Sequence, residues 1–373
     1  FISIVTLAGC SDDATSGVTI RVGTENTYHP YLETVATDFT AETGINVEIY
    51  EDDMFAIIET LATAQGNGPD VFLMPNDRIG SLSDEKLIAP LNLDLSGHTE
   101  AAQTATMYDS NSYMLPVSTD TTLLIYNKAL VTDEPATLGE IAAEDIAMLY
   151  TDFYHFAGLL HDQGGYIFGD SNADTTDIGL NNEGSVKAGE IMATYYDSGI
   201  EHWTLMKDTT IGYDVMMDAF YNGNVSYVIN GPWALHDISE KGIDYGIMPI
   251  PSYDGGTEYK PLTGYKGFAA NAYSSHLDES QQFIEFMLKD EYMQSFHDTT
   301  LEVVPFNAME YAEGSDAAII NEATSVGMPM PTVPEFGFVW APMADATTQI
   351  ANGANAKEAF DAAVEAVELK IAE

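Results

Sequence analysis

The sequence has little cysteine, little positive charge and few long apolar runs. The single cysteine among 373 residues excludes a disulfide within the chain and any Cys-x-x-Cys site. Twelve lysines and arginines accompany 59 acidic residues, a formal net charge of −47, so the chain has no basic surface for nucleic acid or another polyanion. A neutral or cationic ligand is therefore favoured over phosphate or sulfate. Beyond the first residues, no apolar run approaches the roughly 20 residues that span a bilayer.

Motifs of common catalytic and metal sites are also lacking. The sequence contains no GxSxG, HExxH or GxxxxGK[ST] pattern, and its eight histidines are scattered. Asp170, Asn172 and Asp174 begin like a calcium-binding loop. However, Thr175 stands where the sharp turn needs glycine, and Asn181 stands where a bidentate Glu belongs. We interpret this stretch as a polar surface loop and expect neither a metal ion nor a cofactor.

The apolar residues present are enough for a large fold. A chain of 373 residues that is 45% hydrophobic is expected to form two domains or one bilobed unit. Strand-like patterns at 18–22, 45–49 and 70–74 alternate with helix-like spacing at 32–39 and 54–61. This order predicts an α/β fold with a largely parallel sheet.

Further along the chain, residues 122–126 and 226–229 predict two more strands. Apart from residues 11–17 there is no low-complexity linker, so we expect the lobes to be joined by short crossing segments. The chain ends in a predicted helix with one apolar face, made of Phe360, Val364, Val367 and Ile371.

The most specific short motif is Leu-Ala-Gly-Cys at residues 7–10. An apolar run that ends in this motif resembles a bacterial lipobox, and the polar residues 11–17 suit a tether. We predict that residues 1–10 are the remnant of a signal peptide with its lipobox, that further residues precede Phe1, and that Cys10 is acylated. The chain would then be anchored at the extracellular face of the cytoplasmic membrane. The alternative is an unmodified cysteine that follows an apolar strand.

Polar and aromatic residues stand together at the ends of predicted elements. Asp77 and Arg78 follow the apolar strand 70–74, where the carboxyl edge of a sheet opens into a crevice. Trp233 follows a turn, and Trp340 lies among turn-forming residues. A sugar ring has an apolar face that stacks on aromatic rings, and its hydroxyls pair with carboxylates and arginine. The set indicates a sugar-binding site, with ordinary core packing of the tryptophans as the alternative.

From about residue 18 to residue 371 the sequence resembles the extracellular solute-binding proteins of ABC importers, of the maltose and maltodextrin-binding type. Two segments, 264–268 and 340–343, are more similar to lipid-anchored Gram-positive members, in agreement with Cys10. The resemblance is carried by the number, order and spacing of several motifs: FTAETGI at 39–45, GPDV at 68–71, DRIG at 77–80, LIYNK at 124–128, GGY at 164–166, INGPWA at 229–234, YGI at 245–247, and residues 330–340.

The resemblance implies a fold of the periplasmic-binding-protein-like type II class. Two α/β lobes enclose a ligand cleft and are joined by several hinge crossings, near residues 118–122, 261–264 and 309–314. The implied boundaries are 18–120 plus 264–311 for lobe 1, and 121–263 plus 312–373 for lobe 2.

The resemblance also implies the residues of a carbohydrate site. Asp77 and Arg78 match the pair that grips glucose hydroxyls, and Asp120 matches a second acidic position. Met330 lines the same wall as the stacking residues. The remaining matches are the acidic and aromatic pair Asp152 and Tyr154, with Tyr154 as a stacking ring, and the two principal stacking positions, Trp233 and Trp340.

Several family positions carry different residues here. In the enteric member of this family, an Asp-Lys pair begins at the position of Asn26, and a tryptophan stands at the position of Met74. Polar contacts at the last tryptophan and at the mouth of the cleft are replaced as well, by Ala341, Ala344 and the pair Ala56-Ile57. These departures leave the glycan open, although the positions that hold the core glucosyl units are retained.

The resemblance implies a binding protein and not an enzyme. It would capture a neutral oligosaccharide, with an α-glucan such as maltodextrin favoured, and deliver it to an ABC permease in the membrane. We expect a monomer that binds no cofactor and no nucleic acid. The alternatives are a binding protein for another neutral oligosaccharide, a secreted polysaccharide lyase or glycosidase, and an adhesin or sensor subunit that uses the same cleft.

Overall fold

The computed structural model describes residues 17–64, 67–172 and 174–373. The predicted signal remnant, Cys10 and all of the tether except Gly17 lie outside the described residues. Within the described ranges, no helix is both long enough and apolar enough to cross a membrane.

The described residues form 13 strands in chain order. Their bounds are β1 Thr19–Thr24, β2 Asn46–Glu51, β3 Val71–Pro75, β4 Met107–Tyr108, β5 Asn111–Ser112, β6 Leu115–Thr121, β7 Leu123–Asn127, β8 Ile146–Met148, β9 Asp174–Ile178, β10 Tyr227–Asn230, β11 Tyr245–Met248, β12 Leu262–Ala270 and β13 Met328–Pro329.

The helices surround these strands. Their bounds are α1 His29–Thr43, α2 Met54–Thr63, α3 Ile79–Asp84, α4 Glu100–Ala105, α5 Phe153–Asp162, α6 Gly169–Asn172, α7 Glu183–Tyr196, α8 Glu201–Leu205, α9 Gly212–Tyr221, α10 Leu235–Glu240, α11 Leu277–Phe286, α12 Asp290–Thr300, α13 Asp316–Val326, α14 Trp340–Ala351 and α15 Ala356–Ile371. Short 3₁₀ helices are Asn26–Tyr28, Asn76–Arg78, Leu138–Glu140, Pro232–Ala234 and Pro334–Phe338.

The first sheet has the order β13-β12-β3-β1-β2, with β6 also paired to β12. β1 is parallel to both β2 and β3, so the alternating strands and helices predicted for residues 18–74 are confirmed. The intervening helices end where the sequence indicates. Gly44 adopts a left-handed conformation (φ 77°) that terminates α1, and the Asp53 carboxylate caps α2 by accepting from the Phe55 and Ala56 amides at 3.0 Å. β12 runs antiparallel to β3 and β6, so the whole sheet is mixed.

The second sheet has the order β11-β7-β10-β8. The strands predicted at 122–126 and 226–229 correspond to β7 and β10, which pair in antiparallel register. The C-terminal helix α15 buries Phe360, Val364 and Val367 against this side of the molecule, while Ile371 at its end is half-buried. The predicted amphipathic face is therefore confirmed over most of its length.

Each sheet has its own apolar core. The core at the second sheet contains Trp203 and Phe360, and two separate clusters pack against the first sheet. β6 and β7 are separated by Thr122 alone but belong to different sheets, and β12 lies entirely in the first sheet. Alternate residues of β3 pack into the two clusters, so helices cover both faces of the first sheet. The α/β architecture is confirmed, whereas the lobe boundaries given above remain a prediction.

Candidate functional site

Asp77 and Arg78 lie on the 3₁₀ helix Asn76–Arg78, which directly follows strand β3. The buried Asn76 fixes this helix, because its Nδ2 donates to the Met330 carbonyl at 2.9 Å and its Oδ1 accepts from the Tyr265 amide at 3.1 Å. One amide side chain thereby ties the end of β3 to β12 and to the segment that follows β13. The sequence motif therefore places Asp77 and Arg78 on a rigid base.

Asp77, Arg78 and Trp340 bring one acceptor and two donors together. Asp77 is 7% exposed, and its Oδ2 lies 3.5 Å from Arg78 Nε. Burial raises the pKa of the Asp77 carboxyl, while the Arg78 guanidinium and the nearby Trp340 indole oppose that rise. The buried Nε atoms of Arg78 and Trp340 make no hydrogen bond of regular geometry. A ligand hydroxyl is the kind of group that such a set would satisfy.

Asp120, Met330 and Tyr154 meet around Gly264. Gly264 lies directly opposite Asp120 in the β6–β12 register, and a Cβ there would lie 3.0 Å from Asp120 Oδ1, 3.2 Å from Met330 Cε and 3.8 Å from the Tyr154 hydroxyl. That hydroxyl donates to Asp120 Oδ1 at 3.4 Å. The structure therefore brings together three of the predicted site residues, and the glycine leaves room for them.

Tyr154, His155 and Trp233 form a group of rings that we call the aromatic wall. The Tyr154 and Trp233 ring centroids are 6.1 Å apart, and the His155 ring meets both edge to face. Trp233 is 43% exposed. Its indole folds back over Gly231, where a Cβ would lie 2.0 Å from the nearest ring carbon. The Asn-Gly-Pro-Trp turn thus presents an aromatic ring to solvent instead of burying it.

Asp152 and Trp340 both contact α5, the helix that carries Tyr154 and His155. Asp152 caps α5 by accepting from the Tyr154 amide at 2.8 Å, and its Oδ1 lies 3.5 Å from His155 Nδ1. Burial acts to raise the pKa of Asp152, but the interactions with His155 and with the helix amides outweigh it and lower that pKa. Trp340 begins α14 and packs edge to face against Phe153 and Phe336. Asp152 stays half-exposed and is also a structural cap.

Asp120 also belongs to a second group at this site, which we call the charged floor: Tyr28, Ser118, Asp120, Lys266 and Glu302. The other four members were not predicted from the sequence. Lys266 Nζ lies 2.9 Å from Glu302 Oε2, 3.6 Å from Asp120 Oδ2 and 3.1 Å from the Tyr28 hydroxyl. Tyr28 donates to Glu302 Oε1 at 2.7 Å, and Ser118 donates to Glu302 Oε2. A lysine at alternate spacing within an apolar strand was the available signal.

Two predicted positions lie apart from these groups. Met74 is fully buried in a core cluster with Ile57 and Leu61, and its expected contact with a ligand stays a prediction. Its side chain lies on the same face of β3 as that of Phe72, and both faces of this strand are buried. Asn26 lies exposed at the start of the 3₁₀ helix that carries Tyr28, and none of its described contacts reaches the other site residues.

The stretch with calcium-loop spacing begins in α6, whose backbone departs from regular helix. Asp170, Ser171 and Asn172 all have positive φ, and Asn172 Oδ1 accepts from the Phe168 amide at 3.1 Å. Elsewhere in the described ranges, His236, Asp237 and Glu240 on α10 bring potential ligand atoms within 4.8 Å of one another. All three are exposed, and we assign no ion to them. They adjoin an open groove of about 610 Å³ between α9 and α10.

Comparison with known proteins identifies the family. The family described as bacterial extracellular solute-binding protein matches residues 34–324. A maltooligosaccharide ABC transporter solute-binding lipoprotein of Streptococcus pneumoniae is 30% identical over 377 residues, which cover 94% of this chain and 87% of that protein. The chain therefore belongs to the bacterial extracellular solute-binding proteins, as its motifs indicate.

Two further relatives are named for binding sugars. The crystal structure of the maltose-binding protein MalE from Listeria monocytogenes, in complex with maltose, has a TM-score of 0.83 at 28% identity and covers 95% of this chain and 98% of that one. A galactooligosaccharide-binding protein of Bacillus subtilis is 29% identical over 352 residues, covering 88% of this chain and 83% of its own length. The predicted periplasmic-binding-protein-like fold is confirmed.

Proposed function

We propose that this protein captures maltodextrin-like oligosaccharides and delivers them to an ABC permease. The observation that carries the proposal is the presence of two contacting rings, the half-buried Tyr154 and the exposed Trp233, together with the buried Asp77 carboxylate and the buried Nε atoms of Arg78 and Trp340. A glucosyl unit has one apolar face for the rings and a rim of hydroxyls for the polar set. The names of the maltooligosaccharide- and maltose-binding relatives support the same ligand class.

Binding would couple to closure of the two lobes. Tyr154 lies on α5 beside the second sheet, whereas Asp120 lies on β6 of the first sheet, and their side chains already touch. A sugar that contacts both would bind the closed arrangement better than an open one and would shift the population toward it. The closed form would then dock on the permease. We propose that the protein acts as a monomer and without catalysis.

Replacing Trp233 tests the stacking surface. In calorimetry with maltotetraose, Trp233→Ala should weaken binding by at least about tenfold. Stacking of a sugar face on the indole, with the apolar area that it buries, should contribute more than about 1.4 kcal/mol. The matched control is Tyr273→Ala, which removes an aromatic ring that is 58% exposed elsewhere on the surface, and it should leave the affinity unchanged. Equal affinities for wild type and Trp233→Ala would contradict the assignment.

A galactooligosaccharide is the second candidate ligand, because a relative of nearly equal similarity is named for it. A thermal-shift screen over neutral oligosaccharides separates the two, since a bound ligand raises the melting temperature by mass action. The proposal expects the largest shift with maltodextrins. A larger shift with galactooligosaccharides would make a galactooligosaccharide, and not an α-glucan, the proposed ligand. Incubation with maltooligosaccharides should yield no cleavage products, whereas turnover would favour an enzyme.

We also propose that the protein is anchored through a lipid on Cys10 at the extracellular face of the cytoplasmic membrane. The Leu-Ala-Gly-Cys motif supports this, and so does the lipoprotein name of the pneumococcal relative. When the complete gene is expressed in its own host with labelled palmitate, the protein should carry the label and sediment with membranes. Cys10→Ala should lose both properties, and retention of the label would exclude this site.

A further inference from the structure

The charged floor is built on one face of two paired strands. Ser118 and Asp120 are two residues apart on β6, and Gly264 and Lys266 are two residues apart on β12, so all four point to the same side. The register pairs Lys266 with Ser118 and Gly264 with Asp120. Lys266 therefore lies diagonally across from Asp120, and the long lysine side chain can reach the carboxylate.

Two carboxylates share the Lys266 ammonium. Glu302 lies 2.9 Å and Asp120 lies 3.6 Å from Nζ, and each of the three side chains is roughly a quarter exposed or less, at 24%, 23% and 20% for Glu302, Asp120 and Lys266. Among the described residues, Lys266 is the only cationic side chain within 4.0 Å of the Glu302 or Asp120 carboxylate. Without it, two partly buried negative charges would face each other uncompensated.

The two carboxylates differ in how completely they are held. Glu302 accepts hydrogen bonds from Tyr28 and Ser118 in addition to its contact with Lys266, so its oxygens are occupied by the protein. Asp120 has the longer contact with Lys266 and one long hydrogen bond from Tyr154. Asp120 thus keeps the capacity to accept a hydrogen bond from a ligand.

We propose that Lys266 is a positioning residue that keeps Asp120 charged and aimed at a sugar hydroxyl, with Glu302 as the anchor that holds Lys266 in place. This inference rests on the proposed function, because it explains how Lys266 keeps Asp120 in the state that binds a sugar hydroxyl. A charge-assisted hydrogen bond is about twice as strong as a neutral one. Loss of the charge on Asp120 would therefore weaken binding without removing any contact residue.

The groups around Asp120 define the expected pH response. Lys266 faces it from β12, Tyr154 from α5, and Glu302 from the segment after α12. Burial raises the pKa of Asp120, the Lys266 ammonium lowers it, and the Glu302 carboxylate raises it further. Replacing Lys266 by a neutral side chain removes the one lowering charge and keeps both raising influences. The pKa of Asp120, already above its usual value, must then rise further.

The test is calorimetry with maltotetraose from pH 6 to pH 8. Wild-type affinity should be constant over this range. Lys266→Met should bind about tenfold more weakly at pH 6, as expected for the loss of a charge-assisted hydrogen bond, and should recover affinity as the pH rises. Lys266→Arg should restore a flat profile. Trp233→Ala should lose affinity equally at every pH, since no charge is involved.

Two additional measurements keep the outcomes separable. Lys266→Met combined with Glu302→Gln retains the net charge of the floor, and it should show the same trend with a smaller amplitude if the single variant does not fold. Carboxyl carbon NMR of the ligand-free protein, with Asp120 assigned through Asp120→Asn, should show a higher pKa of Asp120 in Lys266→Met than in wild type. An unchanged pKa, or weakened but pH-independent binding, would overturn the role of Lys266. Failure of wild type to bind any maltodextrin would overturn the proposed function, and the NMR titration would still decide the role of Lys266.

Discussion

The aromatic wall and the charged floor contribute to the same site through different physics. In the wall, Trp233 is exposed, Tyr154 is half-buried and His155 is buried, and the three rings contact one another at centroid distances of 6.1–6.3 Å. Floor side chains are largely buried and joined by ion pairs and hydrogen bonds that connect β6, β12 and the segment after α12. The wall should therefore contribute affinity at little structural cost, whereas the floor should contribute to stability and to binding together.

Comparing two tryptophans near the second sheet offers the strongest test of this difference. Trp203 is fully buried, packs against Tyr195 and Tyr196, and donates from Nε1 to the Ala143 carbonyl at 2.8 Å. Trp203→Ala should lower the free energy of unfolding by about 4 kcal/mol, because it removes a packed ring and leaves a cavity. Trp233→Ala, the same chemical change at an exposed position, should lower it by less than about 1 kcal/mol. Urea denaturation of both variants measures these values.

Affinity should show the opposite ranking in this pair. At a temperature where both variants are folded, Trp203→Ala should bind maltotetraose like wild type and Trp233→Ala should not. If Trp233→Ala proved as destabilising as Trp203→Ala, Trp233 would be a core residue, and the wall would lose its main member.

The charged floor makes a pH-dependent contribution to stability. Burial acts to raise the pKa of Glu302, but the Lys266 ammonium and the hydrogen bonds from Ser118 and Tyr28 outweigh it and bring that pKa below its usual 4.5. A carboxyl with a lower pKa in the folded state stabilises the protein above its unfolded pKa and loses that effect as the pH falls through the folded value. Glu302→Gln should therefore cost about 2 kcal/mol at pH 7, since it also leaves Lys266 without its nearest partner, and the cost should shrink below about pH 4.5.

An exposed ion pair of the same length provides the control. Lys260 Nζ lies 2.9 Å from Glu258 Oε2, and Glu258 is 56% exposed. Glu258→Gln should change the free energy of unfolding by less than about 0.5 kcal/mol at any pH. Denaturation at pH 4, 5.5 and 7 tests both variants. Similar small effects at the two sites would mean that the floor is only a surface pair and that its distinction from the wall is wrong.

Part of the wall could be predicted from local signals. Tyr154 was expected only from the family resemblance, and His155 was not assigned to the site. Trp233 follows an Asn-Gly-Pro turn, so its position at the end of an element depends on nearby residues alone. The parallel strands β1, β2 and β3 were predicted for the same reason, since their alternation with helices is a local pattern. The family resemblance added the correspondence between these separate segments.

Apart from Asp120, which the family resemblance supplied, the floor could not be predicted because its members come from segments that only the fold brings together. Lys266 and Ser118 are adjacent in the β6–β12 register but are distant in sequence, and Glu302 follows a different helix. With 59 acidic residues in the chain, no pattern singles out Glu302 or its pairing with a particular lysine. The family position suggested Met74 for the site, whereas its packing in the core cluster with Ile57 and Leu61 is visible only in the fold.

The residue before Glu302 gives the smallest predicted effect and tests how firmly the floor is built. Leu301 ends α12 in a left-handed conformation (φ 62°) and is 75% exposed, so it carries backbone strain without burying its side chain. Leu301→Gly should raise the free energy of unfolding by about 0.5–1 kcal/mol, because glycine adopts this conformation without the Cβ clash. Leu301→Ala retains the Cβ and should give no gain in a melting or urea experiment. Binding of maltotetraose should stay unchanged in both, because Glu302 is held by Lys266, Tyr28 and Ser118 and not by its neighbour in the chain. A weaker affinity in Leu301→Gly would show instead that the strained backbone at Leu301 is what holds the floor in place.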